Sequence, residues 1–340
     1  MDINLFDYYL PEELIAQTPS KIRDECKLLH VFKDSKTYED KHFYDIIDYL
    51  KPGDVLVRNN TKVNPSRLFG IKEGTGAKVE VLLLKEISKD TYECLCGNAK
   101  AIKVGSVINF KDILKGECIE SRDEGIRIFK FYYEGIFLEV LDKVGVMPLP
   151  PYIHAKMEDK SEYQTVYAKI NGSSAAPTAG FHFTNELLDK IKEKGVEILD
   201  VTLNIGLGTF RPVKVQDTKD HIMHSEHYEI TKEVAERLEL AKKEHRRIIA
   251  VGTTVIRTLE ASYTKNNCFK EDRDDTKIFI EPGYKFKAID AIITNFHLPK
   301  STLVMLISAY MGREFTLECY KHAVNNKYRF FSFGDSMFIE

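Results

Sequence analysis

The chain changes character at Val146-Met147-Pro148-Leu149-Pro150-Pro151-Tyr152, where three prolines fall within four residues. Each proline fixes φ and lacks an N–H donor, so the run suits neither a helix nor a sheet interior. It makes a stiff extended connector and a domain boundary. Ahead of it stand short runs of β-branched and aromatic residues at Arg67 to Ile71, Lys78 to Leu84, Thr91 to Leu95, Val107 to Phe110 and Ile126 to Tyr133. Turns rich in Gly and Asp separate them at regular spacing, the pattern of a small antiparallel barrel or sandwich. Behind the prolines the periodicity alternates. Helices are expected over Glu186 to Lys194, Thr231 to Glu244, Val255 to Tyr263 and Ser301 to Tyr310. Strands are expected over Glu197 to Asn204, Arg247 to Val251, Ile278 to Ile280 and Ala288 to Thr294. This alternation predicts helices packed on a largely parallel sheet. Near the N-terminus, helical spacing at Asp7 to Gln17 and Phe43 to Leu50 and a strand at Asp54 to Asn59 belong with the alternating part. The expected fold is therefore α/β plus all-β: an α/β layered main domain (1–66 and 150–340) with an inserted small antiparallel β-barrel domain (67–149).

Composition narrows the function classes. An apolar fraction of 43% and a charged fraction of 30% are those of an ordinary folded protein, and no apolar run reaches the length of a membrane span. Met1 to Asp7 carries two acids and no basic stretch, so no secretory signal is expected. The six cysteines show no C-x-x-C pairing; they read as reduced thiols, neither a disulfide framework nor a zinc knuckle, which points to the cytoplasm. A net charge of −3 gives no bulk attraction for phosphates, so a nucleic-acid partner would need a local patch.

In open α/β sheets ligands bind beyond the carboxyl ends of strands. Gly172 to Thr184 is rich in small residues that let a backbone approach a ligand, and it places His182 between two aromatics just before a helix start. Thr202 to Pro212 runs a strand into Gly206-Leu207-Gly208-Thr209, with Arg211 available to pair a carboxylate. Asp220 to Tyr228 holds His221, His224 and His227 with Glu226. The spacing is not that of a metal-binding helix and its tail alternates like a strand, so acid–base or hydrogen-bonding roles are expected and no metal. Finally, Gly252-Thr253-Thr254 precedes a helix bearing Arg257 and Glu260, and Thr294 to Thr302 precedes another, with Asn295 and His297 at its head. Hydroxyls and amides at two helix starts make a cradle for ribose hydroxyls or an anion. Tyr328 to Asp335 combines Arg329 with four aromatics, suited to base stacking or to a core strand.

Taken together, these segments resemble the S-adenosylmethionine:tRNA ribosyltransferase-isomerases along the whole chain. The resemblance is carried by Leu10 to Gln17, Gly53 to Val57, Asn59 to Val63, Met147 to Ile153, Tyr163 to Ala168, Ala175 to Thr184, Gly206 to Val213 and Met223 to Glu226. Gly252 to Thr254, Arg257 to Glu260, Thr294 to Thr302 and Tyr328 to Asp335 continue it to the C-terminus. It implies an α/β domain with a β-barrel domain, and a cytoplasmic transferase that uses S-adenosylmethionine as ribosyl donor. The acceptor implied is 7-aminomethyl-7-deazaguanine in the anticodon region of tRNA, the products epoxyqueuosine-tRNA, adenine and methionine. A monomer without metal is expected. Such chemistry needs a base near the ribose 5′ carbon, an acid for adenine and contacts to the methionine carboxylate. His182, His224 and Glu226 are the candidates for proton transfer; Arg211, Thr253, Thr254, Arg257, Asn295 and His297 are the candidates for ligand contact. The chain departs from the family pattern at Asn204, at Val255-Ile256, at Cys96 to Ala101 and at Asp274-Asp275. These leave open a paralogue acting on a free nucleobase or nucleoside with the same donor, or a non-enzymatic RNA-binding descendant.

Overall fold

Strands β1 (Lys27–Phe32), β2 (Thr37–His42) and β3 (Val55–Asn59), with α1 (Ile46–Tyr49) between the last two, open a computed structural model that describes all residues except 156, 158 and 207–214. A short β4 (Thr61–Val63) leads to six strands that close into a barrel: β5 (Arg67–Lys72), β6 (Lys78–Ser88), β7 (Thr91–Gly97), β8 (Val107–Phe110), β9 (Leu114–Ser121) and β10 (Ile126–Tyr132). All its pairings are antiparallel, and Leu68, Val81, Ile108, Phe110 and Phe129 fill its interior. Helix α2 (Phe137–Val144) closes one end with Val140, Leu141 and Val144.

The two chain crossings between barrel and sheet are held together. Arg67 and Val146 exchange backbone hydrogen bonds of 3.2 and 2.9 Å. Next to them Gly145 packs so closely on the first crossing that a Cβ there would lie 1.9 Å from the carbonyl oxygen of Pro65.

The chain then adds β11 (Ile170–Ser173), which pairs with β4, followed by α3 (Asn185–Glu193), β12 (Glu197–Leu203), β13 (Glu226–Ile230) and α4 (Lys232–Lys243). Next come β14 (Ile248–Val251), α5 (Thr253–Asn266), β15 (Asp272–Thr276), β16 (Ala291–Asn295), α6 (Thr302–Met311), α7 (Arg313–Asn325) and β17 (Ser336–Ile339). Among the described residues nine strands form one sheet in the order β15-β13-β12-β3-β14-β16-β17-β1-β2. Its middle, β12-β3-β14-β16, is parallel, and so is β17-β1; the remaining pairs are antiparallel. The sheet is thus mixed rather than largely parallel. Both faces of its centre are covered, which is why β14 reads as an unbroken apolar run and β3 opens on Val55-Leu56-Val57. Val55, Val57, Ile248 and Ala250 face the core under α4 to α7, while Leu56, Ile249 and Val251 face α1 and α3.

Two expectations for local structure are corrected. Asp7 to Gln17 is not a helix; it holds only a turn of 3₁₀ helix at Glu12–Leu14, because Leu14 and Ala16 are drawn into backbone hydrogen bonds with Phe330 (2.7 and 3.1 Å). Ile278 to Ile280 is not a strand. Its residues leave the sheet after β15 and wall a pocket instead.

Candidate active site

The parallel strands β14 and β16 end side by side, and the segments that leave them shape a cleft. After β14 the chain turns at Gly252, whose φ of +89° is left-handed and natural to glycine. Its N–H donates to the Ile293 carbonyl at 2.7 Å, tying the turn to β16. Helix α5 then starts with no side-chain cap, so its first amides and the positive end of its dipole face the cleft with Thr253 and Thr254. By contrast α6 is capped by Ser301, whose side chain accepts from the Val304 amide.

Two adjoining pockets result, meeting at Leu303, which lines both. The first, about 590 Å³ and open to solvent, is lined by Thr253, Thr254, Asn295 and His297, with Tyr152, Thr178 and Phe331 across from them. The second, about 520 Å³, is lined by His221, Met223, His224, Glu226, Arg257 and Phe279 among others.

In the second pocket Glu226 opens β13 and Arg257 lies on α5, both almost fully buried. Arg257 Nη1 donates to Glu226 Oε2, while Glu226 Oε1 accepts from the Gly206 amide at 3.2 Å. His224 is exposed at the rim. His227 points away to the surface, where its Nδ1 pairs with Asp275 at 2.9 Å, so the three histidines of this segment do not converge. Among the described residues no group of three or more His, Cys, Asp or Glu is placed to hold a metal ion.

In the first pocket Asn295 is fixed by its neighbours. Its Nδ2 donates to the Phe331 carbonyl at 3.0 Å and reaches His182 Nε2 at 3.2 Å, and its Oδ1 accepts from Thr178 at 3.5 Å. His182 Nε2 is therefore the acceptor, and the proton sits on Nδ1, 3.0 Å from Cys26 Sγ. His182 thus stands behind Asn295, with both ring nitrogens engaged, and lines a smaller pocket with Arg23, Phe181 and Phe333. Phe331 reaches the cleft from a backbone with φ of +73°, uncommon for an aromatic residue and of the kind that gathers at functional sites.

Burial lowers the pKa of both His182 and His297 to about 3, so each is neutral at physiological pH. An unfolded histidine titrates near 6.5, so between about pH 6.5 and 3 the unfolded chain binds protons that the native one refuses, and native stability falls as pH falls through that window. At pH 5 each imidazole is expected to cost about 2 kcal/mol relative to pH 7. Urea melts of wild type and His182→Gln at pH 7 and 5 check this: the variant should lose about 2 kcal/mol less on acidification, and equal losses would contradict it.

The candidates from sequence therefore divide into three places. Thr253, Thr254, Asn295 and His297 share the first pocket, His224, Glu226 and Arg257 share the second, and His182 lies behind Asn295. Arg211 lies outside the described residues. Departing Asn204 accepts from Thr61 Oγ1 at 3.0 Å at the end of β12. Tyr152, Thr178, Met223, Phe279, Leu303 and Phe331 line the cleft without having been singled out. For Tyr152 and Phe331 the signal was their place in the proline connector and in the aromatic C-terminal segment.

Two comparisons bear on this geometry. Residues 3–339 match the family of queuosine biosynthesis proteins. The chain is also similar to the crystal structure of an S-adenosylmethionine tRNA ribosyltransferase from Thermotoga maritima, with 35% identity over 99% of this chain and 100% of that one, and a TM-score of 0.58. A family match over nearly the whole length, joined to an α/β sheet carrying a closed antiparallel barrel, fixes the lineage: the chain belongs to the queuosine biosynthesis protein family.

Proposed function

We propose that this protein transfers and isomerises the ribosyl moiety of S-adenosylmethionine onto 7-aminomethyl-7-deazaguanine in the anticodon region of tRNA, acting in the cytoplasm. The observation that carries the reading is the paired cleft, joined to full-length similarity to a ribosyltransferase that uses this donor. One pocket offers hydroxyls and free helix-start amides beside aromatic rings, suited to an adenosine. Its neighbour offers an apolar wall with a buried ion pair, suited to the rest of the donor.

The chemistry asks little of the protein's own groups and much of their placement. A positive sulfur acidifies the adjacent ribose 5′ carbon, so a modest base can take its proton. Sugar opening then expels adenine, the aminomethyl nitrogen attacks, and methionine leaves as the epoxide closes. Glu226 and His224 line the second pocket and are the groups we assign to proton transfer. His182, neutral and engaged on both nitrogens, we assign to holding Asn295 against the ligand. Thr253, Thr254, Arg257, Asn295 and His297 are assigned to ligand contact. The division into a catalytic part (1–66 and 150–340) and a barrel (67–149) rests on the same footing, supported by β1 to β3 lying in the nine-stranded sheet while β5 to β10 close on themselves.

The test is incubation with S-adenosylmethionine and tRNA bearing the aminomethyl base, followed by nucleoside mass spectrometry. Epoxyqueuosine should appear in that tRNA, with adenine released in equal amount, and not in unmodified tRNA. Turnover on the free base and none on tRNA would replace this reading with that of a nucleobase-modifying paralogue.

A further inference from the structure

Three arginines of this fold, Arg58 and Arg257 buried and Arg247 half-buried, can be compared by the edge they present. The Nε and terminal N–H groups on one side of a guanidinium lie parallel, and that edge matches the two oxygens of a carboxylate. Arg58 uses it to hold Asp200, with Nε and Nη2 at 2.7 and 3.0 Å. Arg247 uses it to hold Asp54, at 3.0 and 2.6 Å. Arg257 does not: Glu226 takes its Nη1, and Nε and Nη2 are buried without a hydrogen-bond partner among the described residues. Buried donors are satisfied in the great majority of native structures, so two on one guanidinium beside a pocket imply an acceptor that arrives with a ligand.

The surroundings say what kind of ligand. Met223, Phe279, Leu303 and Leu306 line the same pocket and would cover a short apolar chain, while Glu226 already balances the charge of Arg257. One turn earlier on α5, Thr254 Oγ1 is likewise buried without a partner among the described residues, and it lines the adjoining pocket. Residues three apart share a helix face, about 4.5 Å apart along the axis. A single ligand lying along α5 can therefore engage both orphan groups.

We infer that the Nε–Nη2 edge of Arg257 is the receptor for the α-carboxylate of the donor's methionine half, which seats that half in the Met223–Phe279–Leu306 pocket and leaves the pocket of Thr253 and Asn295 to the adenosine. This assignment rests on the proposed use of S-adenosylmethionine and orients it: the sulfur lies at the junction by Leu303, and product methionine and product adenine leave from different pockets.

The experiment compares S-adenosylmethionine with its decarboxylated analogue, which keeps the sulfonium and loses only the carboxylate, by calorimetry on wild type and on Arg257→Lys. Lysine keeps a cation for Glu226 but lacks the fork. Wild type should bind the carboxylated form about 10–100-fold more tightly, as a charge-assisted pair implies. In the lysine variant that preference should shrink to within about threefold, while adenine alone should bind both proteins within about twofold. A misfolded variant would lose adenine as well, and the wild-type comparison stands without it. Equal affinity of wild type for the two sulfonium compounds overturns the assignment, as does an undiminished preference in the lysine variant. Absence of any binding of S-adenosylmethionine to wild type would instead bring down the proposed function.

Discussion

Glu226→Ala is expected to abolish adenine release, by at least about 100-fold in kcat/KM, and to lower stability by about 3–5 kcal/mol. The carboxylate is almost fully buried, forms the one ion pair of Arg257 among the described residues, and accepts the Gly206 amide. Removing it leaves a guanidinium in a nearly dry site without that counter-charge, and a buried charge deprived of its partner costs far more than the pair contributes. Glu226→Gln separates the two effects. It keeps an acceptor for the Gly206 amide and a similar volume, so more of the stability should return. The basic carboxylate stays absent, however, and turnover should remain low. Urea melts and an adenine-release assay on both variants check this. Full turnover in the glutamine variant would remove Glu226 from proton transfer.

Gly145→Ala is expected to destabilise the protein by about 3 kcal/mol or more, although it adds one methyl group at a residue that lines neither pocket. Its φ of −88° is open to any residue, so the effect is one of space alone. The new Cβ would stand 1.9 Å from the carbonyl oxygen of Pro65 and 2.9 Å from that of Leu141. Both neighbours are backbone, and neither can swing aside as a side chain would. One belongs to the crossing into the barrel and the other to α2, so relief requires the barrel to shift against the sheet. That would break the Arg67–Val146 hydrogen bonds. Alanine at Gly74, where nothing lies within 4 Å, should cost only what its φ of +79° imposes, about 1–2 kcal/mol. Denaturation midpoints of the two variants measure the difference, and equal losses would show that the crossing can yield.

The parts of this fold visible in the sequence are those where burial is simplest. Val55 to Val57 and Ile248 to Val251 are covered on both faces, so they stand out as apolar runs that signal strands. Thr37–His42 and Asp272–Thr276 were missed because each is an edge strand with charged side chains, which protect an open edge from pairing and erase the apolar signal. Lys27–Phe32 is a buried strand with no expectation behind it, because its four apolar residues, broken by His30, show no alternation to follow. For the candidate site, the grouping of Thr253, Thr254 and Asn295 in one pocket is legible because small and polar residues at strand-to-helix junctions form a local pattern. The Arg257–Glu226 pair spans 31 residues and the His182–Asn295 contact 113. Such contacts are created by the strand order of the sheet, and no local spacing encodes them.

In the proposed reaction the donor gives up its ribosyl group rather than its methyl group. Two preparations of S-adenosylmethionine decide this, one labelled in the ribose and one in the methyl carbon, each incubated with wild type and tRNA bearing the aminomethyl base. Ribose label should enter the tRNA in step with adenine release while methyl label stays with free methionine. Methyl label in the tRNA, or ribose label remaining wholly on small molecules, would contradict it.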